Sequence, residues 1–332
     1  MSYKNKIYVI VNKHFEVEPF IAALMALNRE RKLNFPMPTQ LNIPTDGTNR
    51  MNKPRVSYRT DELNFDIDVW CIEDLMPADA NGSNSEEKYK VLPQFFYNQF
   101  KEALTNTTLV ISVSTAESTN EIQEKLTKKS DGSINGSVLF GNNFFMFDVH
   151  SMSSDPDPYS GSYLKIAEDD VFKNRSPLSL TNDAELQDAE KDFWIQNKNH
   201  DSKMKCVRNN KYMSIGVVNV TDYNAYKAAD PAAHDAAMEH STAKVYTPVS
   251  IETTHGIVDM AMNEAITKLG MENKPYIEFV SPITDRYEHF YEDVGTSGLQ
   301  NYIAGYNAGI AVGHFLKLID DEYKIIPTPV CI

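Results

Sequence analysis

Cysteine is scarce in this chain of 332 residues. The three that occur, Cys71, Cys206 and Cys331, are widely spaced and form no CxxC pair, which argues against a disulfide framework and a zinc ribbon and suits a reducing compartment. Basic residues are also in short supply: 32 Lys and Arg against 46 Asp and Glu leave a formal charge of −14. Proteins that bind nucleic acid need the opposite balance to neutralise phosphates, so no nucleic-acid partner is expected. No apolar run approaches the ~20 residues of a membrane span, and the opening MSYKNKIYVIVNKHF lacks the charged-then-apolar order of a signal peptide. The expectation is a soluble, cytoplasmic protein without a membrane partner. Several signature motifs are missing as well. There is no GxGxxG after the first apolar run, no phosphate-binding GxxxxGKS or GxxxxGKT, no GxSxG elbow and no HExxH. HDAAMEH (234–240) holds two histidines six residues apart, a spacing that shares a helical face poorly, so a solvated helix is expected there and no metal or cofactor.

What is present is an alternation of apolar runs and amphipathic stretches, with 42% hydrophobic residues to build a core. KIYVIVN (6–12) reads as a strand, and the segment after it gathers Phe15, Phe20, Ile21, Leu24 and Leu27 near one helical face. FDIDVWCI (65–72), TLVISVST (108–115), SVLFG and FFMFDVH (within 137–150), YMSIGVVNV (212–220) and PYIEFVS (275–281) read as further strands. Helices are expected at LPQFFYNQFKEAL (92–104), HGIVDMAMNEAITKLG (255–270) and LQNYIAGYNAGIAVGHFLKLI (299–319). In the last of these Gly305, Gly309 and Gly313 recur every four residues, which would let the helix lie close to a sheet. Between these elements, the proline-bearing stretch 33–58 reads as a long excursion, 78–88 as a polar loop, and 151–210 as an insertion or surface helix. The whole predicts an α/β fold, a single domain over 1–332 with a central mixed, mostly parallel twisted sheet flanked by helices. Insertions are expected at 30–62, 72–92 and 151–210.

Polar residues stand where apolar strands run out, and in such sheets ligands bind at the carboxyl ends of strands. Glu16 follows the first strand, Thr115 and Glu117 follow LVISV, Asp222 follows GVVNV, Glu252 to Thr254 precede a helix, and Asp285 follows YIEFV. Each has a structural alternative: Asp222, Thr254 and Asp285 could cap helices, and Glu16 could be a first-turn acid favoured by the helix dipole.

Their order along the chain resembles the methylthioadenosine/adenosylhomocysteine nucleosidases, a branch of the nucleoside phosphorylase and nucleosidase superfamily. VIVNKHFEVEPFIAAL (9–24) resembles the family's strand, Gly-Ala-Met-Glu-Glu-Glu-Val loop and helix, with Glu16 on the last acid. VISVSTAES (110–118) looks like the central strand ending in Thr-Gly-Ser-Ala-Gly-Gly, and GVVNVTDYNAY (216–226) is similar to the strand ending in Ser-Gly-Asp. VSIETTHGIVDMA (249–261) sits where the family has Val-Glu-Met-Glu, and FVSPITDRY (279–287) at its Arg-Ala-Ile-Ser-Asp segment. The family glycines are replaced at Ser114, Glu117 and Ser118. Its ribose-binding glutamate aligns with Thr254, a hydroxyl that cannot accept two hydrogen bonds as a carboxylate can.

The resemblance implies cleavage of the N-glycosidic bond of a purine nucleoside or nucleotide through an oxocarbenium-like state, with Asp285 as general acid at the base and Glu16 activating water. It implies substrate contacts from Thr115, Ala116, Asp222, Tyr223, Asn224, Glu252, Thr253, Thr254 and Thr284, and a homo-oligomer. Neither NKHFE nor STAES contains an arginine to hold phosphate, which favours hydrolysis over phosphorolysis. Lys13, His14 and Arg286 are cations beside these segments; they could bind inorganic phosphate or a nucleotide phosphate, or be solvated loop charges. A phosphate-dependent phosphorylase and a non-catalytic nucleoside-binding or assembly protein are the alternatives.

Overall fold

The β-branched run after Lys6 can be buried only if both its faces are covered, and two layers of helix do this. The structure is a computed structural model that describes residues 5–29, 33, 35–43, 51–80, 85–103, 107–127, 134–147, 183–194, 204–209, 211–217, 228–229, 231–232, 246–271, 275–286 and 297–323. Strand β1 (Asn5–Val11) lies between β4 (Phe65–Cys71) and β5 (Thr107–Val113), parallel to both. Beyond β4 the sheet continues antiparallel through β3 (Val56–Tyr58) to β2 (Gln40–Leu41). The stretch expected to be a structureless excursion therefore supplies an edge of the sheet. Its strands are two and three residues long, too short for an alternating pattern to be legible, but Phe35 and Tyr58 are fully buried edge to face.

On the other side of β5 runs β12 (Tyr276–Arg286), the longest strand at 11 residues. Its first half pairs in parallel with β5 and its last residues pair in parallel with β6 (Ala116–Ser118). Beyond β6 come β11 (Thr247–Glu252), antiparallel to it, then β10 (Tyr212–Val217) and β8 (Asn143–Phe147), each parallel to its inner neighbour. A side branch is formed by β7 (Val138–Gly141), antiparallel to β12, and β9 (Cys206–Arg208), parallel to β7. Among the described residues the sheet has 12 strands and is mixed and mostly parallel, as the alternation of the sequence predicts. The STAES segment, expected to be a turn, is largely strand β6, and β12 extends to Arg286, so Thr284 and Asp285 lie within the strand and not after it.

One face is covered by α1 (His14–Arg29) and the closing helix, the other by α3 (Ser85–Ala103) and the helix His255–Leu269; α2 (Ile72–Leu75) is a single turn after β4. In chain order, the further helices given bounds among the described residues are α4 (Asn120–Thr127), α5 (Asp183–Glu190), α6 (His255–Leu269) and α7 (Ser297–Tyr323). α6 ends at Gly270, whose φ of 63° is the left-handed cap conformation that glycine adopts without strain. The glycine stripe of α7 meets α1, not the sheet: a Cβ on Gly309 would come within 2.3 Å of Phe20 O, and one on Gly313 within 2.3 Å of Leu27 Cδ1. α3 begins at Ser85, seven residues before the expected start, so the polar run SEEKYK is helical and Pro93 lies inside the helix. Within 151–210 the structure has a helix, α5, that is exposed at Gln187 and Asp188 and sends Leu186 and Ala189, with Phe193 after it, into the core.

Candidate active site

The two flanks of the sheet aim their carboxyl ends at one place. β1, β4 and β5 end at Val11, Cys71 and Val113, side by side. β11 runs the other way, and its pairing of Ser250 with Ser118 and Ile251 with Glu117 carries Glu252 towards Ala116 and Thr115. The loop after β1, the Ser114–Thr115 step after β5 and the Glu252–His255 step after β11 thus face one another where the two flanks join.

Glu16 is held there by the first turn of α1 and is 1% exposed. Its Oε1 accepts hydrogen bonds from the Thr115 hydroxyl (2.5 Å) and the Thr115 amide (3.1 Å), and its Oε2 accepts one from the Lys13 amide (3.2 Å). Burial pushes the carboxyl above the usual carboxylate range, while the Thr115 hydrogen bonds and the Lys13 charge hold it back. The first-turn alternative is met: Glu16 lies in the first turn of α1, and the carboxylate that faces Thr115 also receives the Lys13 amide at the start of its own helix.

Glu252, also 1% exposed, does for α6 what Thr254 was expected to do. Thr254 occupies the N-cap position, but its hydroxyl makes no cap hydrogen bond; Glu252 Oε2 accepts from the amides of Thr254 and His255 (2.8 Å for His255). Burial raises its pKa to about 7. Its Oε1 accepts from Ser214 Oγ at 3.4 Å, and from there a chain of buried side chains crosses the sheet: Ser250 donates to Ser214 (3.0 Å), Ser250 contacts Ser281 (2.9 Å), Ser281 contacts His255 Nε2 (3.1 Å), and His255 Nδ1 contacts Ser112 (2.9 Å). Each hydroxyl has one proton to give. With Ser214 donating to the carboxylate, Ser281 must donate to Ser250, His255 must donate through Nε2–H, and Nδ1 must accept from Ser112. His255 is thereby fixed as one neutral tautomer, and burial lowers its pKa to about 3.

Lys88 is the residue that the sequence reading missed. It enters from α3 with 0% exposure, and its Nζ donates to Thr254 Oγ1 (3.1 Å) and Thr253 Oγ1 (3.4 Å). Burial and the Lys13 charge lower its pKa to about 8, opposed by Glu16, Glu252 and Glu73 nearby. A signal existed: Lys88, Leu92 and Phe96 are spaced at i, i+4 and i+8 and all three are fully buried, so the lysine lies on the core face of its helix.

His14 is tied to the adjacent edge. Its amide donates to Glu73 Oε2 (2.7 Å), its Nδ1 is 3.3 Å from the same oxygen, and its Nε2 is 2.9 Å from Asp74 Oδ1. Asp74 is in turn clamped by Arg55 through Nε (2.5 Å) and Nη2 (2.6 Å). His14, Cys71 and Glu73 each bring one potential metal-ligand atom within 4.8 Å of the others. The Cys71 thiol is pushed up by burial and donates to Asn12 O at 3.8 Å, and both His14 nitrogens already face carboxylates, so these groups are satisfied among themselves. Lys13 is half-buried beside the site, its Nζ 5.4 Å from the centroid of the Phe15 ring.

The structure therefore brings together Lys13, Glu16, Thr115, Glu252, Thr253 and Thr254, and adds Lys88. Thr284 and Ala116 meet on the neighbouring strands, with the Thr284 hydroxyl donating to Ala116 O (3.4 Å). Asp285 pairs with Glu117 and Arg286 with Ser118 in the β12–β6 ladder, while the side chains of Asp285 and Arg286 lie outside the described residues. Asp222, Tyr223 and Asn224 lie outside them altogether. Among the described residues no helix is long and apolar enough to cross a membrane.

No family model matches this chain, and no curated protein matches it by sequence. Solved structures do resemble it. A methylthioadenosine/S-adenosylhomocysteine nucleosidase from Colwellia psychrerythraea in complex with adenine is 13% identical, covering 95% of this chain and 96% of its own at a TM-score of 0.46. An Arabidopsis thaliana methylthioadenosine nucleosidase gives 13% identity, 95% and 96% coverage and 0.47. A mutant adenosine/methylthioadenosine phosphorylase from Schistosoma mansoni in complex with adenine gives 11%, 95% and 92%, and 0.46. The first two carry the name of the branch that the motifs resemble; likeness at this level assigns this chain neither an activity nor a substrate.

Proposed function

We propose that the chain hydrolyses the N-glycosidic bond of a purine nucleoside or nucleotide. The observation that carries the reading is the buried Glu16 carboxylate, held by the Thr115 hydroxyl and two backbone amides at the meeting point of the strand ends. A general base for water must be fixed in direction and must want a proton more than a solvated carboxylate does. The three donors fix Glu16, and its burial strengthens it as a base. In the proposed step a water attacks the anomeric carbon and gives its proton to Glu16 as the bond to the base stretches. Asp285 supplies the proton that the departing ring nitrogen takes up, so that free base and free sugar are released. Thr115, Ala116, Glu252, Thr253, Thr254 and Thr284 line the substrate in this reading, with Asp222, Tyr223 and Asn224 approaching the base. Phosphorolysis is a second reading, favoured by one observation: Lys88 and Lys13 are two cations close enough for the charge of one to act on the other.

Replacing Glu16→Gln or Asp285→Asn is expected to lower base release by at least ~100-fold, with the thermal unfolding midpoint retained. Full rates in either variant contradict the role given to that residue.

A further inference from the structure

His14, Cys71 and Glu73 stand apart from the residues to which the proposed reaction gives a role. They come from neighbouring strands: Cys71 closes β4 opposite Val11, the last residue of β1, and His14 opens α1 just after it. Glu73 lies in the single turn α2 that follows Cys71. One ring nitrogen, the Sγ and one carboxylate oxygen all lie within 4.8 Å of one another. His14 and Glu73 are half-buried, which leaves a path from solvent to the buried thiol.

The carboxylate behind the histidine sets its chemistry. The Asp74 side chain is buried and clamped by two N–H groups of Arg55, so it faces His14 as an acceptor, and His14 Nε2 at 2.9 Å donates to it. A neutral imidazole has one N–H. With that proton on Nε2, Nδ1 turns a lone pair towards Glu73 Oε2 at 3.3 Å, and two acceptors face each other. The same oxygen accepts from the His14 amide at 2.7 Å, which holds the carboxylate in place while a second lone pair faces the ring. These contacts are satisfied only when a cation stands between the two, either a second ring proton or a metal ion. A carboxylate that holds the far nitrogen of a histidine and so aims the near one is the usual outer partner of a metal-bound imidazole. Cys71 supplies the third donor. Burial alone keeps its thiol protonated, but a metal bound to the sulfur removes that proton outright. The hydrogen bond given up, to Asn12 O at 3.8 Å, comes from a weak donor. Nitrogen, thiolate and carboxylate, with water as a fourth ligand, are the donors zinc takes. Zinc ligands stand roughly 3.3–3.8 Å apart, so the His14–Glu73 pair is in place and Cys71 Sγ has at most about 1 Å to close.

We propose that His14 Nδ1, Cys71 Sγ and Glu73 Oε2 bind one zinc ion, with Asp74 orienting His14 from behind. Binding displaces the Cys71 thiol proton and any proton on His14 Nδ1. It fastens the first turn of α1, which carries Glu16, to the turn after β4, and it is independent of the reaction proposed at Glu16.

The test is calorimetric titration of Zn2+ into the full chain, stripped by a chelator and then freed of it, at pH 7 in two buffers of different ionisation enthalpy. Co2+ serves as a spectroscopic probe, and both titrations are repeated on Cys71→Ser, Glu73→Gln and Asp74→Asn. One zinc per chain is expected, with release of at least one proton, a raised thermal midpoint and a cobalt spectrum that carries thiolate charge-transfer absorption. Cys71→Ser should abolish that absorption, and each variant should weaken zinc binding by ~10–100-fold. The proton count and the cobalt spectrum are read on the parent chain, so a variant that folds poorly does not remove the test. No binding, binding without proton release, or a thiolate band that survives Cys71→Ser overturns the site.

Discussion

Lys88, Glu252 and His255 are three ionisable side chains held out of water within one stretch of the molecule, and burial pushes each towards its neutral form. For Lys88 this has a cost in stability. A lysine held at about 8 instead of 10.5 is charged in both folded and unfolded states below pH 8, so the full penalty, roughly 3 kcal/mol, is present there. Between pH 8 and 10.5 the folded lysine is neutral while the unfolded one stays charged, and the penalty disappears as pH rises through that window. Lys88→Met is therefore expected to raise stability by roughly 3 kcal/mol at pH 7 in chemical denaturation, and to lose the rise between pH 8 and 10.5 that the parent shows; a variant less stable than the parent contradicts this. His255 carries a second expectation. Nitrogen-15 spectra should show it neutral and protonated at Nε2 at pH 8, and Ser250→Ala, which cuts the hydroxyl chain, should release it to mixed tautomers. An Nδ1–H tautomer in the parent contradicts the hydrogen-bond order. At this scale Glu16 and Thr115 were legible because each follows an apolar strand, and Glu252 because it precedes a helix; the strand β11 that carries it was not read. Lys88 shows only in its i, i+4, i+8 spacing with Leu92 and Phe96, a signal that the polar or aromatic run Ser85 to Lys90 hides until the helix is seen to pack on α6 from far along the chain.

Among the elements, the fit of α7 reaches the site through α1. A Cβ at Gly305 would lie 2.8 Å from Pro19 Cγ, 2.9 Å from Glu16 O and 3.4 Å from Glu16 Cα, whereas one at Gly309 would meet Phe20 and Ala23 a turn further on. Either substitution by alanine pushes α1 away and should cost about 1–3 kcal/mol. Gly305→Ala moves the backbone that carries Glu16, so its turnover should fall further than that of Gly309→Ala at equal loss of thermal midpoint. Equal turnover in the two variants contradicts the coupling. The spacing of these glycines was visible in the sequence, but not the surface they meet, because a small-residue stripe fits a helix as well as a sheet. The short elements were the least legible. β2, β3 and β6 have two or three residues each, so their strand character comes from pairing with β3, β4, β11 and β12 and not from any local pattern. β12 runs five residues past the strand read at 275–281, and Pro282 is accommodated where it passes from β5 to β6, opposite Val138 of β7.

At the scale of the whole molecule, the long β12 joins two flanks whose strands run in opposite directions, and this opposition brings Glu16 and Glu252 to the surroundings of Lys88 although 236 residues separate them. The alternation of strands and helices was enough to read the α/β class from the sequence. The reversal at β6 was not, because it is written in three residues between Thr115 and Thr119. The reaction proposed for this site is cleavage of an N-glycosidic bond with water. It is tested most directly by incubating the purified chain with purine nucleosides and their monophosphates, with and without inorganic phosphate, and measuring the base set free. The expected result is free base and free sugar in the absence of phosphate. No base from any of these compounds, or base only with phosphate and a sugar 1-phosphate beside it, contradicts the claim.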